Sequence, residues 1–176
     1  MKNRIQARVG VIASICLTLV VGSAIYAQTQ FPQSNATQKG AAMTTQARGT
    51  FDVKLNPLDP YNQTEGANLA RMSLDKQFHG DLEATSKGEM LSAGTDVKGS
   101  AGYVAMERIS GTLRGRNGSF VLQHNATMTR GAPYMNIVVV PDSGTGQLKG
   151  LVGKMLIVIT ESKHSYEFDY TLTDTP

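Results

Sequence analysis

Cysteine is nearly absent from this chain. The single copy, Cys16, lies inside an N-terminal apolar run and follows Ile15, where a lipoprotein signal would need a small residue. Disulfides, thiol catalysis and cysteine metal ligation are therefore excluded for everything downstream. Histidine is scarce too. His79, His124 and His164 are far apart, with no HxH or HxxxH spacing, so no metal site is expected and no cofactor is implied. There is no GxSxG, which removes the usual serine-nucleophile signature. The glycine-rich pieces GSAG and SGTGQLKG lack the Gly-Lys-Ser/Thr ending of a phosphate loop and read as turns. A convincing helical period is also missing throughout.

Basic charge is present only at first sight. Lys2, Arg4 and Arg8 precede an uncharged apolar run, Val9 to Ile25, and Ala24-Ile25-Tyr26-Ala27 offers a small residue before Gln28. That layout is a secretory signal peptide over 1–27, cleaved after Ala27. The competing reading is an uncleaved anchor, for which the run is short against the roughly 20 residues of a membrane span. Cleavage removes three of the 17 Lys and Arg and none of the 14 Asp and Glu, so the formal charge falls from +3 to zero. With no basic tract left, a nucleic-acid partner has no support. The expected location is periplasmic or extracellular, with membrane contact only through the leader before cleavage. Residues 28–46 are polar and rich in Gln, Thr and Ser, which reads as a flexible tether. A domain over 47–176 follows.

From Gly49 onward the apolar period is two. Phe51, Val53 and Leu55 alternate with polar residues, as do Met72, Leu74 and Phe78, and then Leu82, Ala84 and Met90. Loops are expected over Asn56–Gly66 and Ser92–Gly102. Further strands follow over Tyr103–Leu113, Ser119–Met128, Met135–Val140, Leu151–Thr160 and His164–Leu172. About eight strands joined by mostly short connections predict an all-β fold, a small closed antiparallel barrel or a sandwich. Eight strands can close around one small ligand, and closure removes exposed edges.

The blocks GTFDV, KQFHGDLEATSKGEM, YVAMERISGTLRGRNGSFVLQH, VVPDSGTGQLKGLVG and HSYEFDY, in this order, resemble the bacterial family named domain of unknown function 3224. The resemblance runs from about Ala47 to Leu172. It implies a small closed barrel similar to those of allene oxide cyclases and dirigent proteins, which bind an apolar or reactive ligand and guide its ring closure or coupling. It carries no catalytic residues over, because a fold does not fix a function.

Two groups stand out on the apolar faces. Glu107 alternates with Ala105 and Ile109, and His124 with Leu122 and Ala126. A hairpin turn at Arg116-Asn117 would pair Leu113 with Phe120 and Ile109 with His124. A turn at Asn117-Gly118, the stronger hairpin dipeptide, would pair Leu113 with Leu122. Either register keeps Glu107 and His124 on one surface. Burial should raise the pKa of Glu107 unless a cation is near, and such a pair can serve as acid and base or as a structural pair. Tyr103, Tyr166 and Tyr170 add hydroxyls that could orient a ligand, and with Glu107, Leu122 and His124 they are the expected ligand-binding set. Methionines 72, 90, 128 and 155 suit a pocket as well as a core. Three functions stay open: a barrel binding a small apolar molecule, a cofactor-free isomerase or cyclase using Glu107 and His124, and a module that self-associates into a homo-oligomer.

Overall fold

The structure, a computed structural model, describes residues 43–60, 62, 68–161 and 163–173. The expected leader and nearly all of the tether lie outside them. The eight strands are β1 (Thr45–Leu58), β2 (Asn68–Gly80), β3 (Leu82–Gly94), β4 (Ala101–Leu113), β5 (Arg116–Thr129), β6 (Ala132–Val139), β7 (Leu151–Thr160) and β8 (Lys163–Leu172). Each pairs antiparallel with the next, and β8 returns to β1, giving a closed up-and-down barrel. The only helical piece among the described residues is a 3-10 turn, Gly146–Leu148. The period-two patterning has this direct consequence: one face of every strand enters a common interior, and closure leaves that interior nowhere else to go.

Several strand boundaries differ from the sequence expectation. β1 runs on through Pro57, which pairs with Met72 of β2. On its other side β1 pairs with β8 only as far as Phe51, so Pro57 sits where no second ladder needs its missing N–H. β3 and β4 extend into the expected loop, to Gly94 and from Ala101. The β4–β5 hairpin turns at Arg114-Gly115, not at Arg116-Asn117 or Asn117-Gly118, pairing Leu113 with Arg116 and Ala105 with His124. Arg114 and Gly115 both have positive φ, 46° and 81°, as a two-residue hairpin turn of the primed kind requires. Gly118 serves another purpose. A Cβ there would fall 2.2 Å from the Thr145 carbonyl oxygen, so its bare backbone lets the 140–148 segment close against β5.

That segment includes most of the glycine-rich SGTGQLKG, and it packs against the barrel through β5. The Thr145 N–H donates to the Ser119 carbonyl at 2.8 Å, and the Ser119 N–H donates to Thr145 Oγ1 at 3.0 Å. The Val121 N–H donates to Ser143 Oγ. These contacts satisfy a β5 edge that β6 does not reach, and they drive Leu148 into the core.

The interior is unequal along the barrel axis. Near the β2–β3 and β4–β5 turns it is filled by Phe78, Leu82, Leu113, Phe120, Tyr166 and Phe168, all 1% exposed or less. Phe120 stacks on Phe168, and Phe78 meets Tyr166 edge-on. Toward the opposite end the inward residues Val53, Met90, Tyr103 and Ile157 are only partly buried.

Candidate functional site

Four neighbouring strands each send one polar group into the barrel where the packed half ends. Lys76 comes from β2, Ser86 from β3, Glu107 from β4 and His124 from β5, and all four are buried. The register explains the meeting. Lys76 lies opposite Ser86, Gly88 opposite Glu107, and Ala105 opposite His124, so successive members are direct or diagonal neighbours. Lys76 must still cross two strand spacings, roughly 9–10 Å, to reach Glu107. Gly88, opposite Glu107, lets β3 and β4 approach closely there: a Cβ would lie 2.3 Å from the Met106 carbonyl oxygen and 3.2 Å from the Glu107 Cβ.

Glu107 is the hub, with 0% exposure. Lys76 Nζ donates to its Oε2 at 2.8 Å, and Ser86 Oγ donates to its Oε1. His124 Nε2 stands 2.9 Å from Oε2, a close electrostatic contact whose N–H direction leaves Nε2 without an aligned hydrogen-bond partner. Lys76 Nζ also lies 4.8 Å from the ring centre of Phe51 and 5.6 Å from that of Phe78, so its charge is held by aromatic faces as well. Burial pushes the Glu107 carboxyl up. His124, Lys76 and Ser86 more than offset that, so its pKa lies below the ordinary carboxylate range. A raised value is the sequence expectation only where no cation is near; Lys76 is such a cation, one that the sequence candidates do not include.

Above this cluster a cavity of about 190 Å³ opens toward the partly filled end. Its walls are apolar, with Leu55, Leu74, Met90, Met135 and Ile157 among them, and its polar lining residues are Lys76, Tyr103, His124 and His164. A second apolar cavity of about 230 Å³ adjoins it, sharing Met90, Tyr103 and Met135. Glu107 is not at the cavity surface; Lys76 and His124 are.

The sequence candidates divide accordingly. Tyr103, Glu107 and His124 come together, Tyr103 and His124 at the cavity and Glu107 behind it. Burial, and then the charge of Glu107, push the Tyr103 hydroxyl pKa up. Leu122, Tyr166 and Tyr170 are in the packed half and do not line the cavity. The Tyr166 hydroxyl is already committed, accepting from the Leu82 N–H at 2.9 Å and donating to the His79 carbonyl at 3.3 Å. Tyr170 stacks on Phe168. Lys76, Ser86 and His164 were not in the sequence-derived set. His164 packs on Phe51 with ring centres 5.1 Å apart. His79 points outward, near Asp52 and Glu83. Among the described residues no three His, Cys, Asp or Glu side chains cluster as a metal site would need.

Comparison with other proteins fits this architecture. The family model described as protein of unknown function (DUF3224) matches residues 47–170. A crystal structure of a protein of unknown function from that family, from Shewanella oneidensis MR-1, is 53% identical, with a TM-score of 0.71 over 74% of this chain and 99% of the other. No curated protein matches.

Proposed function

The chain belongs to the DUF3224 family, and from its interior geometry we propose that it is an exported barrel that binds one small, largely apolar molecule. The observation that carries this reading is the cavity of about 190 Å³ with apolar walls over a polar floor. Binding sites commonly combine apolar lining with a few placed polar groups. A dry cavity of about 150 Å³ is enough for benzene, so the volume here suits a ring or a short chain. Export follows from the 1–27 leader, and a periplasmic or extracellular protein meets such molecules directly. Native mass spectrometry of the protein purified from its source organism tests the reading. A single small-molecule adduct, released on denaturation, is the expected result. Bare protein in every charge state, with no uptake of small apolar probes, sinks it.

A second reading, a cofactor-free isomerase or cyclase, has one observation in its favour. His124 both lines the cavity and stands 2.9 Å from an ionised Glu107. In that arrangement the imidazole moves a proton to or from the ligand while the carboxylate stabilises its protonated form. A Glu107→Gln protein that kept full turnover on an identified substrate would remove Glu107 from the chemistry.

A further inference from the structure

We propose that the cavity selects a molecule with a carboxylate head and a short apolar tail, its head held by Lys76 and His124. This rests on the ligand-binding reading above and goes further by naming the ligand's polar group. The polar side chains lining the cavity are Lys76, Tyr103, His124 and His164. Each offers an N–H or O–H, and no Asp or Glu lines it. The one acid of the cluster, Glu107, is sealed from the cavity at 0% exposure. An ammonium has three donors. Among the described residues Glu107 is the one hydrogen-bond acceptor for Nζ, and the aromatic faces of Phe51 and Phe78 are the other close neighbours of its charge. Lys76 thus keeps donor capacity at the cavity floor. The His124 ring lines the cavity, and its Nε2, 2.9 Å from Glu107 Oε2, has no aligned hydrogen bond there. A floor of buried donors is costly to leave dry and unpaired. A carboxylate supplies acceptors and forms charge-assisted hydrogen bonds, roughly twice as strong as neutral ones. An amine head would meet Lys76 charge to charge. The tail then lies against Leu74, Met90, Met135 and Ile157, where the methionines adapt to its shape.

Hexanoate, 1-hexanol and hexylamine share a tail and differ in the head, so isothermal titration of the full chain with the three separates the claims. Hexanoate should bind at least about tenfold tighter than hexanol, with hexylamine weakest. The variant to compare is Lys76→Met combined with Glu107→Gln, because Lys76→Met alone strands a buried carboxylate. In the double variant hexanoate should lose most of its advantage over hexanol. Wild-type hexanoate affinity in a folded double variant overturns the role of Lys76. Hexanol or hexylamine binding as tightly as hexanoate overturns the carboxylate head and leaves the apolar pocket standing. If none of the three binds at millimolar concentration, the pocket reading falls with it.

Discussion

Lys76 is the residue that decides what the interior is. Without it Glu107 would have Ser86 and His124 alone to set against the cost of its burial. With it, Glu107 is an anion fixed at 2.8 Å from an ammonium. Breaking a buried pair from one side leaves the other charge uncompensated, so Lys76→Met should destabilise the fold by about 3–5 kcal/mol. The Lys76→Met, Glu107→Gln double variant should recover a large part of that loss, as urea midpoints will show. The pH dependence follows from the lowered Glu107 pKa. The unfolded carboxyl titrates near about 4.3, and the folded one lower. The unfolded state therefore binds the proton first on acidification. This contribution is fully present above the unfolded value and is lost as pH falls through the folded one. Urea midpoints measured from pH 7 to pH 2 should fall less steeply below about pH 4.5 for Glu107→Gln than for the native chain. The alternation that turns Met72, Leu74 and Phe78 inward turns Lys76 inward too. The signal is hard to credit because lysine is almost never buried unpaired. Its partner lies 31 residues away on the next strand but one, and it is the β2–β3 and β3–β4 registers that bring the two together.

At the level of strands, the β4–β5 hairpin shows what periodicity settles and what it leaves open. Parity alone puts Glu107 and His124 on one surface, and the observed pairing makes them diagonal neighbours, Glu107 opposite Leu122 and His124 opposite Ala105. Register depends on the turn, and there Asn117-Gly118 is a misleading signal. Gly118 is glycine for closeness to Thr145, a residue of a distant loop, and Gly115 is glycine for its backbone angle. The two roles make opposite predictions. Gly115→Ala meets nothing within 4 Å and should cost only about 1 kcal/mol of backbone strain. Gly118→Ala must push the 140–148 segment away and should cost about 1–3 kcal/mol, with a larger fall in Tm. If Gly115→Ala proved the more damaging, this assignment of roles would be wrong. Gly88→Ala belongs with Gly118→Ala: its Cβ would collide with backbone at Met106 and crowd Glu107. Neither Gly118 nor Gly88 announces its neighbour in the sequence, since one neighbour arrives from a distant loop and the other from the next strand.

Across the whole barrel the strand pairs are far from equally made. β3 and β4 pair from Leu82↔Leu113 to Gly94↔Ala101, whereas β6 and β7 pair only at Ile137↔Met155 and Val138↔Lys154. Beyond Met155, toward the cavity end, β7 remains paired with β8 on one side and has no register with β6 on the other. Met135 and Ile157 border the cavity on either side of this seam. Outward-facing Tyr134, Leu156 and Val158 leave apolar surface exposed beside it. Local opening takes place where few hydrogen bonds and little buried apolar area must be given up together. The β6–β7 seam is that place, and the packed aromatic end is its opposite. Amide hydrogen exchange should therefore be faster over 132–136 and 156–160 than over 82–90 and 107–113, by at least about a hundredfold in protection. A molecule lodged in the cavity touches both sides of the seam and should slow exchange there preferentially, leaving the packed end unchanged. Uniform protection around the barrel would contradict the unequal pairing. Slowing confined to the packed end would place any bound molecule elsewhere.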